Sequence, residues 1–204
     1  MQSPNFELAR QYALDYLARG LPPHLTYHSL AHTRDDVAPS AGQIAALAGL
    51  DGEDLLLVLT AAFYHDTGYV EQPDDHEEGS ARLAAAVLPR FGYQPAQIAA
   101  IVEMIYATRL PQTPRTLPAQ ILADADLNVL GKETYLERSR LLRDEMATSG
   151  RTMTDCEWYS FQLEFIRNHR YFTSAARTLL DAQKQVNLDY MAALLAQCQE
   201  VKLV

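Results

Sequence analysis

The sequence predicts an all-α fold, a single compact multi-helix domain, on three observations. Helix start and stop signals follow one another along the 204 residues with short connections between them. No segment alternates apolar and polar residues with the period of two that marks a strand, and the only Asp-Gly pair, Asp51-Gly52, has helical flanks. The segment from Leu55 to Phe63 is apolar on every side, as expected of a helix at the centre of a domain. This length suits one domain with a sizeable core better than two.

The elements can be justified in order. Ser3-Pro4 predicts an N-cap followed by proline at the first helical position, and Gly20 with Pro22-Pro23 predicts the stop. Asp51 caps the buried helix, which the sequence predicts to end at Gly68. Ile98, Ile101, Val102 and Ile105 recur at the i, i+3, i+4, i+7 spacing of one helical face. Pro111, Pro114 and Pro118 keep a loop over Arg109–Leu117 non-helical, and an apolar segment follows from Leu117 to Leu130. Thr154 to Glu157 reads as a capping box, followed by the stripe Trp158, Phe161 and Phe165. A last long helix runs from about Ser174 to Gln199, with Ala176, Leu179 and Leu180 expected on its inner face.

Composition excludes several function classes. A net charge of −9 without any basic run disfavours extended binding to nucleic acid, which depends on Lys and Arg neutralising phosphates. No stretch of eighteen apolar residues exists, so no membrane span is expected. The first residues lack a basic and then apolar leader, and Cys156 and Cys198 stand alone without CxxC spacing. The expectation is a cytoplasmic protein with both thiols reduced. The acidic stretch Glu71 to Glu78 reads as solvated loop.

Chemistry concentrates in a few histidines and aspartates. His65-Asp66 ends the apolar run, where outward-pointing helix carbonyls favour a cation and the buried residues before it fix the geometry. One nitrogen and one oxygen donor suit zinc, manganese or iron. His28 and His32 are four apart, so on a helix they share a face. Two readings stay open: both bind one metal, or His32 binds and His28 donates a proton. Asp126, between Ala125 and Leu127, is expected to be buried and to need a metal or an arginine as partner. His24 reads as exposed loop, and His169 as a satisfied core or pocket-edge histidine.

These residues and their flanks resemble the HD superfamily of metal-dependent phosphohydrolases. The resemblance is carried by Tyr27-His28-x-x-x-His32-Thr33, Phe63-x-His65-Asp66-Thr67-Gly68-Tyr69 and Asp124-Ala125-Asp126-Leu127. A weaker echo lies in Phe165-Ile166-x-x-His169-x-Tyr171-Phe172-Thr173. It implies an HD-type helical domain over residues 1–204, with a motif-bearing core at about 24–130 and C-terminal helices at about 131–204. It also implies that His32, His65, Asp66 and Asp126 ligate a divalent ion, with zinc, manganese, magnesium, iron, cobalt and nickel undistinguished. The catalytic residues would be His28, protonating the leaving oxygen, and Asp66, orienting a metal-activated water.

His76 resembles the histidine that helps hold a second metal in dinuclear members, whereas their adjacent-histidine pair is replaced by Tyr106-Ala107-Thr108-Arg109. Ser29 stands where related phosphodiesterases carry asparagine, and Pro39 interrupts a helix that is usually continuous. Two histidines, two carboxylates and one divalent ion sum to zero charge, so a second metal at His76 or a basic side chain is expected to assist an anionic substrate. Arg34, Arg109 and Arg115 are the candidates. The expected partner is a small phosphoester, with a nucleotide or cyclic nucleotide as default. The alternatives are a non-enzymatic nucleotide- or partner-binding helical module with a metal site, and a di-iron oxygenase of the same fold.

Overall fold

The structure, a computed structural model, describes residues 3–201, and among these there is no strand. Its helices are α1 (Phe6–Gly20), α2 (Ala38–Leu47), α3 (Gly52–Tyr64), α4 (His76–Val87), α5 (Pro95–Tyr106), α6 (Leu117–Asp126), α7 (Tyr135–Thr148), α8 (Asp155–Asn168) and α9 (Ser174–Val201). A π-helical turn, His32–Val37, leads directly into α2, and 310 turns follow α3, α4 and α6.

Helix α3 is enclosed as its apolar circumference requires, packed against α1, α2, α5 and α6. Ala9, Ala13 and Leu17 bury one face of α1 against it at i, i+4, i+8 spacing. The cap of α1 is two residues later than the sequence suggests: Asn5, not Ser3, accepts from the Leu8 amide at 3.1 Å, and Pro4 lies before the cap. Pro39 does not interrupt its helix, because it falls in the first turn of α2, where its missing N–H is not needed. The π-helical turn absorbs the change of register just before it.

Two apolar clusters hold the protein together. The larger draws on α1 to α6 and on Tyr171, Ala175, Ala176 and Leu180. The smaller joins Tyr27, Val129 and Leu130 to Tyr135, Leu163, Ile166 and Met191 from the last three helices. At the seam, Gly131 lies so close to α9 that a Cβ there would stand 2.6 Å from the Leu180 carbonyl oxygen.

Several expectations for the C-terminal helices are corrected. The capping box at Thr154 and Glu157 forms, but Phe161 is half-exposed and Leu179 is 46% exposed, because α9 presents Ala176 and Leu180 inward while its opposite face meets solvent. Cys156 and Cys198 are not free thiols but form a disulfide between α8 and α9, with Cα atoms 5.6 Å apart.

Candidate metal centre and cavity

Helix α3 ends at Tyr64, four residues earlier than the sequence suggests, so His65 is its C-cap and Asp66 precedes the 310 turn Thr67–Val70. His65 Nδ1 donates to the Ala62 carbonyl at 2.8 Å, which fixes the ring and leaves Nε2 as the free donor atom. The turn is braced by Thr67 Oγ1 donating to the Tyr64 carbonyl and by the Gly68 amide donating to Ser80 Oγ, each at 2.8 Å. Glycine is required at 68, since a Cβ there would lie 1.9 Å from the His76 carbonyl oxygen. That close approach sets the first turn of α4, and with it His76, beside Asp66.

His32 opens the π-helical turn, and its amide reaches Ser29 Oγ at 3.4 Å. Asp126 is the last residue of α6. The structure brings His32, His65, Asp66 and Asp126 together. His65 Nε2 stands 3.2 Å from Asp66 Oδ2 and 3.4 Å from Asp126 Oδ1. His32 Nε2 is 3.6 Å from each of the same two oxygens. None of these contacts involves an arginine, so the partners of Asp126 are histidines.

The residues fit a divalent ion. Ligands about 2.1 Å from a tetrahedral zinc-like ion stand roughly 3.4 Å from one another, close to the 3.2–3.6 Å found between the histidine nitrogens and the carboxylate oxygens here; His32, His65 and Asp66 form the tightest group. His65 Nε2 and Asp66 Oδ2 are buried without a hydrogen-bond partner, a costly arrangement that a bound cation relieves. Burial alone would push both carboxyls up. Instead the nearby His65 imidazole holds Asp66 far below the carboxylate range, and the nearby imidazoles of His32 and His65 hold Asp126 at about 2. Two buried carboxylates therefore stay ionised in one place.

His28 departs from the helical-pair reading. It precedes the π-helical turn, and its ring centroid is 6.0 Å from that of His32, at right angles. Its Nδ1 bonds the Glu145 carboxylate, whose other oxygen accepts from the Tyr27 and His28 amides at 2.8 and 3.1 Å. Burial opposes the charge on Glu145, but these bonds hold its carboxyl below the ordinary range. Tyr69 stacks on His28 at 4.2 Å and on His76 at 4.0 Å. His76 Nε2 lies 3.6 Å from Asp66 Oδ1, the oxygen turned away from His65, and 3.7 Å from Glu77 Oε1. Glu77 is buried, so the acidic stretch is not all solvated loop.

These groups open onto a cavity of about 710 Å³, lined by His28, Asp66, His76, Arg109 and Asp126 and by residues of α7 and α8. Of the three arginines singled out, only Arg109 lines it, near Asp75 and Glu77 at 3.4 and 3.6 Å. Arg34 is drawn off into a pair with its neighbour Asp35, and Arg115 is exposed. His24 is an exposed residue at the cavity rim. His169 is not satisfied: both ring nitrogens lack partners, and the ring lies edge-on to Tyr171 beside a second, shallower pocket. Sequence reasoning missed Glu145 and Glu77. Glu77 adjoins a candidate histidine, but nothing local to Glu145 signals a partner 117 residues away.

Fold and centre together define a helical protein built around a His/His/Asp cluster able to hold a metal. The HD domain family model matches residues 36–127, which include His65, Asp66 and Asp126 and begin four residues after His32. Three solved structures share the fold over nearly the whole chain. One is a predicted HD superfamily hydrolase from an uncultured Thermotogales bacterium, 20% identical, covering 92% of this chain and 91% of its own, TM-score 0.64. Another is YpgQ of Bacillus subtilis in complex with ADP, 22% identical, covering 94% of each chain, TM-score 0.68. The third, from Lactobacillus plantarum, is 16% identical, covering 96% and 97%, with TM-score 0.70. Among curated proteins none matches the sequence. Residues 36–127 thus match the HD domain, and the solved structures share its helical fold over nearly the whole chain.

Proposed function

We propose that this protein is a metal-dependent phosphohydrolase acting on a small phosphoester, with a nucleotide as the leading substrate class. The observation that carries the reading is the quartet of buried His32, His65 and Asp66 with the half-buried Asp126: donor atoms 3.2–3.6 Å across its histidine–carboxylate pairs, two of them without a hydrogen-bond partner. His32, His65, Asp66 and Asp126 would hold one divalent ion. When bound, such an ion polarises a phosphoryl oxygen and lowers the pKa of a water from about 15.7 to about 7.

The chain's own residues would do the rest. Glu145 holds His28 by Nδ1, leaving Nε2 to protonate the departing oxygen. Asp66 Oδ1, turned toward His76, can orient the attacking water. Arg109 meets the anionic substrate at the cavity, releasing Asp75 and Glu77 as it does so. The ADP bound by the B. subtilis relative supports a nucleotide, and the cavity volume accommodates one. We favour one tightly held ion, because Tyr106 and Arg109 occupy the region of the paired histidines and bond to acidic side chains instead.

The test is elemental analysis of protein purified without added metal, followed by a panel of mono-, di- and cyclic nucleotides with and without chelator. The expected result is one divalent ion per chain and hydrolysis that chelation abolishes and the metal restores. Activity that survives complete metal removal would sink the reading. Metal-dependent nucleotide binding with no turnover would move it to a binding module.

A further inference from the structure

Beyond the candidate centre, the cavity wall contributed by α7 and α8 contains a pair of buried hydrogen bonds that tie one helix to the other. The first begins at Trp158, whose indole N–H can donate and cannot accept. That N–H donates to Ser139 Oγ at 3.1 Å. One turn before Ser139 on the same helix, Tyr135 Oη donates to Gln162 Oε1 at 2.6 Å. All four residues are buried, none more than 5% exposed. Burial also keeps the Tyr135 phenol protonated well above its ordinary range, so it remains a donor.

The consequence falls on the last member. With Oε1 accepting from Tyr135, Nε2 of Gln162 is the atom left over. Nε2 has no hydrogen-bond partner among the described residues, and Gln162 lines the cavity. The rest of the side chain is buried, so this nitrogen donates to whatever occupies the cavity. Around it the wall is apolar, with Met146, Phe161, Phe165 and Leu127 also lining the cavity.

We propose that Gln162 anchors a second subsite in this cavity, which takes a flat, apolar-faced group bearing a hydrogen-bond acceptor, as in a carbonyl oxygen or ring nitrogen of a nucleobase. This rests on the phosphohydrolase reading and extends it to the non-phosphate part of the substrate. The subsite selects by donor polarity: a group that presents only an N–H at this point leaves two donors facing each other. Tyr135 is a positioning residue, since it acts by holding the amide in one orientation.

Dissociation constants of the metal-loaded protein for ADP, GDP, UDP and inorganic pyrophosphate test the assignment. Gln162→Met keeps the length of the side chain and removes its donors. It is expected to weaken at least one nucleoside diphosphate by roughly 3- to 10-fold, the worth of one hydrogen bond, and to leave pyrophosphate unchanged. Gln162→Glu, which offers an acceptor instead, is expected to weaken the same ligand further. Tyr135→Phe frees the amide to turn, so differences among the three nucleotides should shrink while pyrophosphate binding stays. Equal losses for pyrophosphate and nucleotides, or no loss in either Gln162 variant, would overturn the subsite. So would wild-type protein that binds no nucleotide more tightly than pyrophosphate, although the phosphohydrolase reading would then still stand. Binding of neither class with the metal in place would count against both.

Discussion

The two apolar clusters of this protein divide the work of building one cavity, and they do so by different means. Around α3, four donor groups sit on segments whose own sequence places them: a C-cap, the end of α6 and a tight turn before α2. Around α7 and α8, the contributing groups lie on otherwise ordinary amphipathic helices and gain meaning only by contact, as Glu145 does with His28 and Gln162 with Tyr135. The first region should therefore govern whether chemistry occurs, and the second which molecule is positioned for it.

That division can be broken most directly at the centre. Asp66→Asn keeps the shape but removes a buried negative charge from the quartet. Metal content should fall to background and turnover with it, while the circular dichroism spectrum stays helical. Metal retained at full stoichiometry would show that the quartet is not the binding site.

His28→Asn tests the link between the regions. Turnover should fall by roughly 10²–10⁴-fold, the usual range for loss of a general acid, with metal content unchanged. Glu145→Gln should cost less, and the loss in both should shrink for substrates with good leaving groups. Loss of metal from His28→Asn would make His28 a ligand.

The disulfide belongs to the second region alone. It closes a loop of sequence separation 42, for which the chain-entropy account gives about 4 kcal/mol of stabilisation. Reduction should lower the melting temperature clearly while metal affinity stays the same. A change in metal affinity on reduction would join two regions that are here kept apart.

Gly68→Ala forces α4 away from the turn after His65-Asp66, because its Cβ would overlap the His76 carbonyl. The expected cost is roughly 1–3 kcal/mol in denaturant unfolding, with metal retained by the quartet.

The smallest effect concerns His169, on the side of the second pocket. Burial, and then the charges of Lys184 and Arg170, hold its pKa down at about 3. The unfolded chain takes up this proton near pH 6.5 and the folded one does not. The stability due to a neutral His169 is thus fully present above about pH 6.5 and declines as pH falls toward 3. His169→Gln should flatten that part of the stability–pH curve, and an unchanged slope would show that the acid loss arises elsewhere.

Much of the first region was legible in the sequence because its signals are local. An all-apolar segment must be enclosed, and α3 is. His65-Asp66 beside Gly68 had to form a tight, rigid turn whatever packed around it. Local signals erred by a turn or less: Asn5 replaced Ser3 as cap because its side chain reaches the Leu8 amide, and α3 stopped at Tyr64 rather than Gly68. The arginines show the limit. Arg34, Arg109 and Arg115 are equivalent in a sequence, and only the neighbouring Asp35 and the fold of the 109–117 loop separate them.

By itself the sequence determined most of the helices and the enclosed position of α3, because helix periodicity and capping act within a few residues, and its motifs singled out the four donors that the fold brings together. Only the tertiary structure decided that His28 turns to Glu145 instead of pairing with His32, that Cys156 meets Cys198, and that Gln162 shows its nitrogen to the cavity. Each of these depends on a partner on another helix. A hydrogen bond or disulfide specifies distance and direction in space, which separation along the chain does not encode.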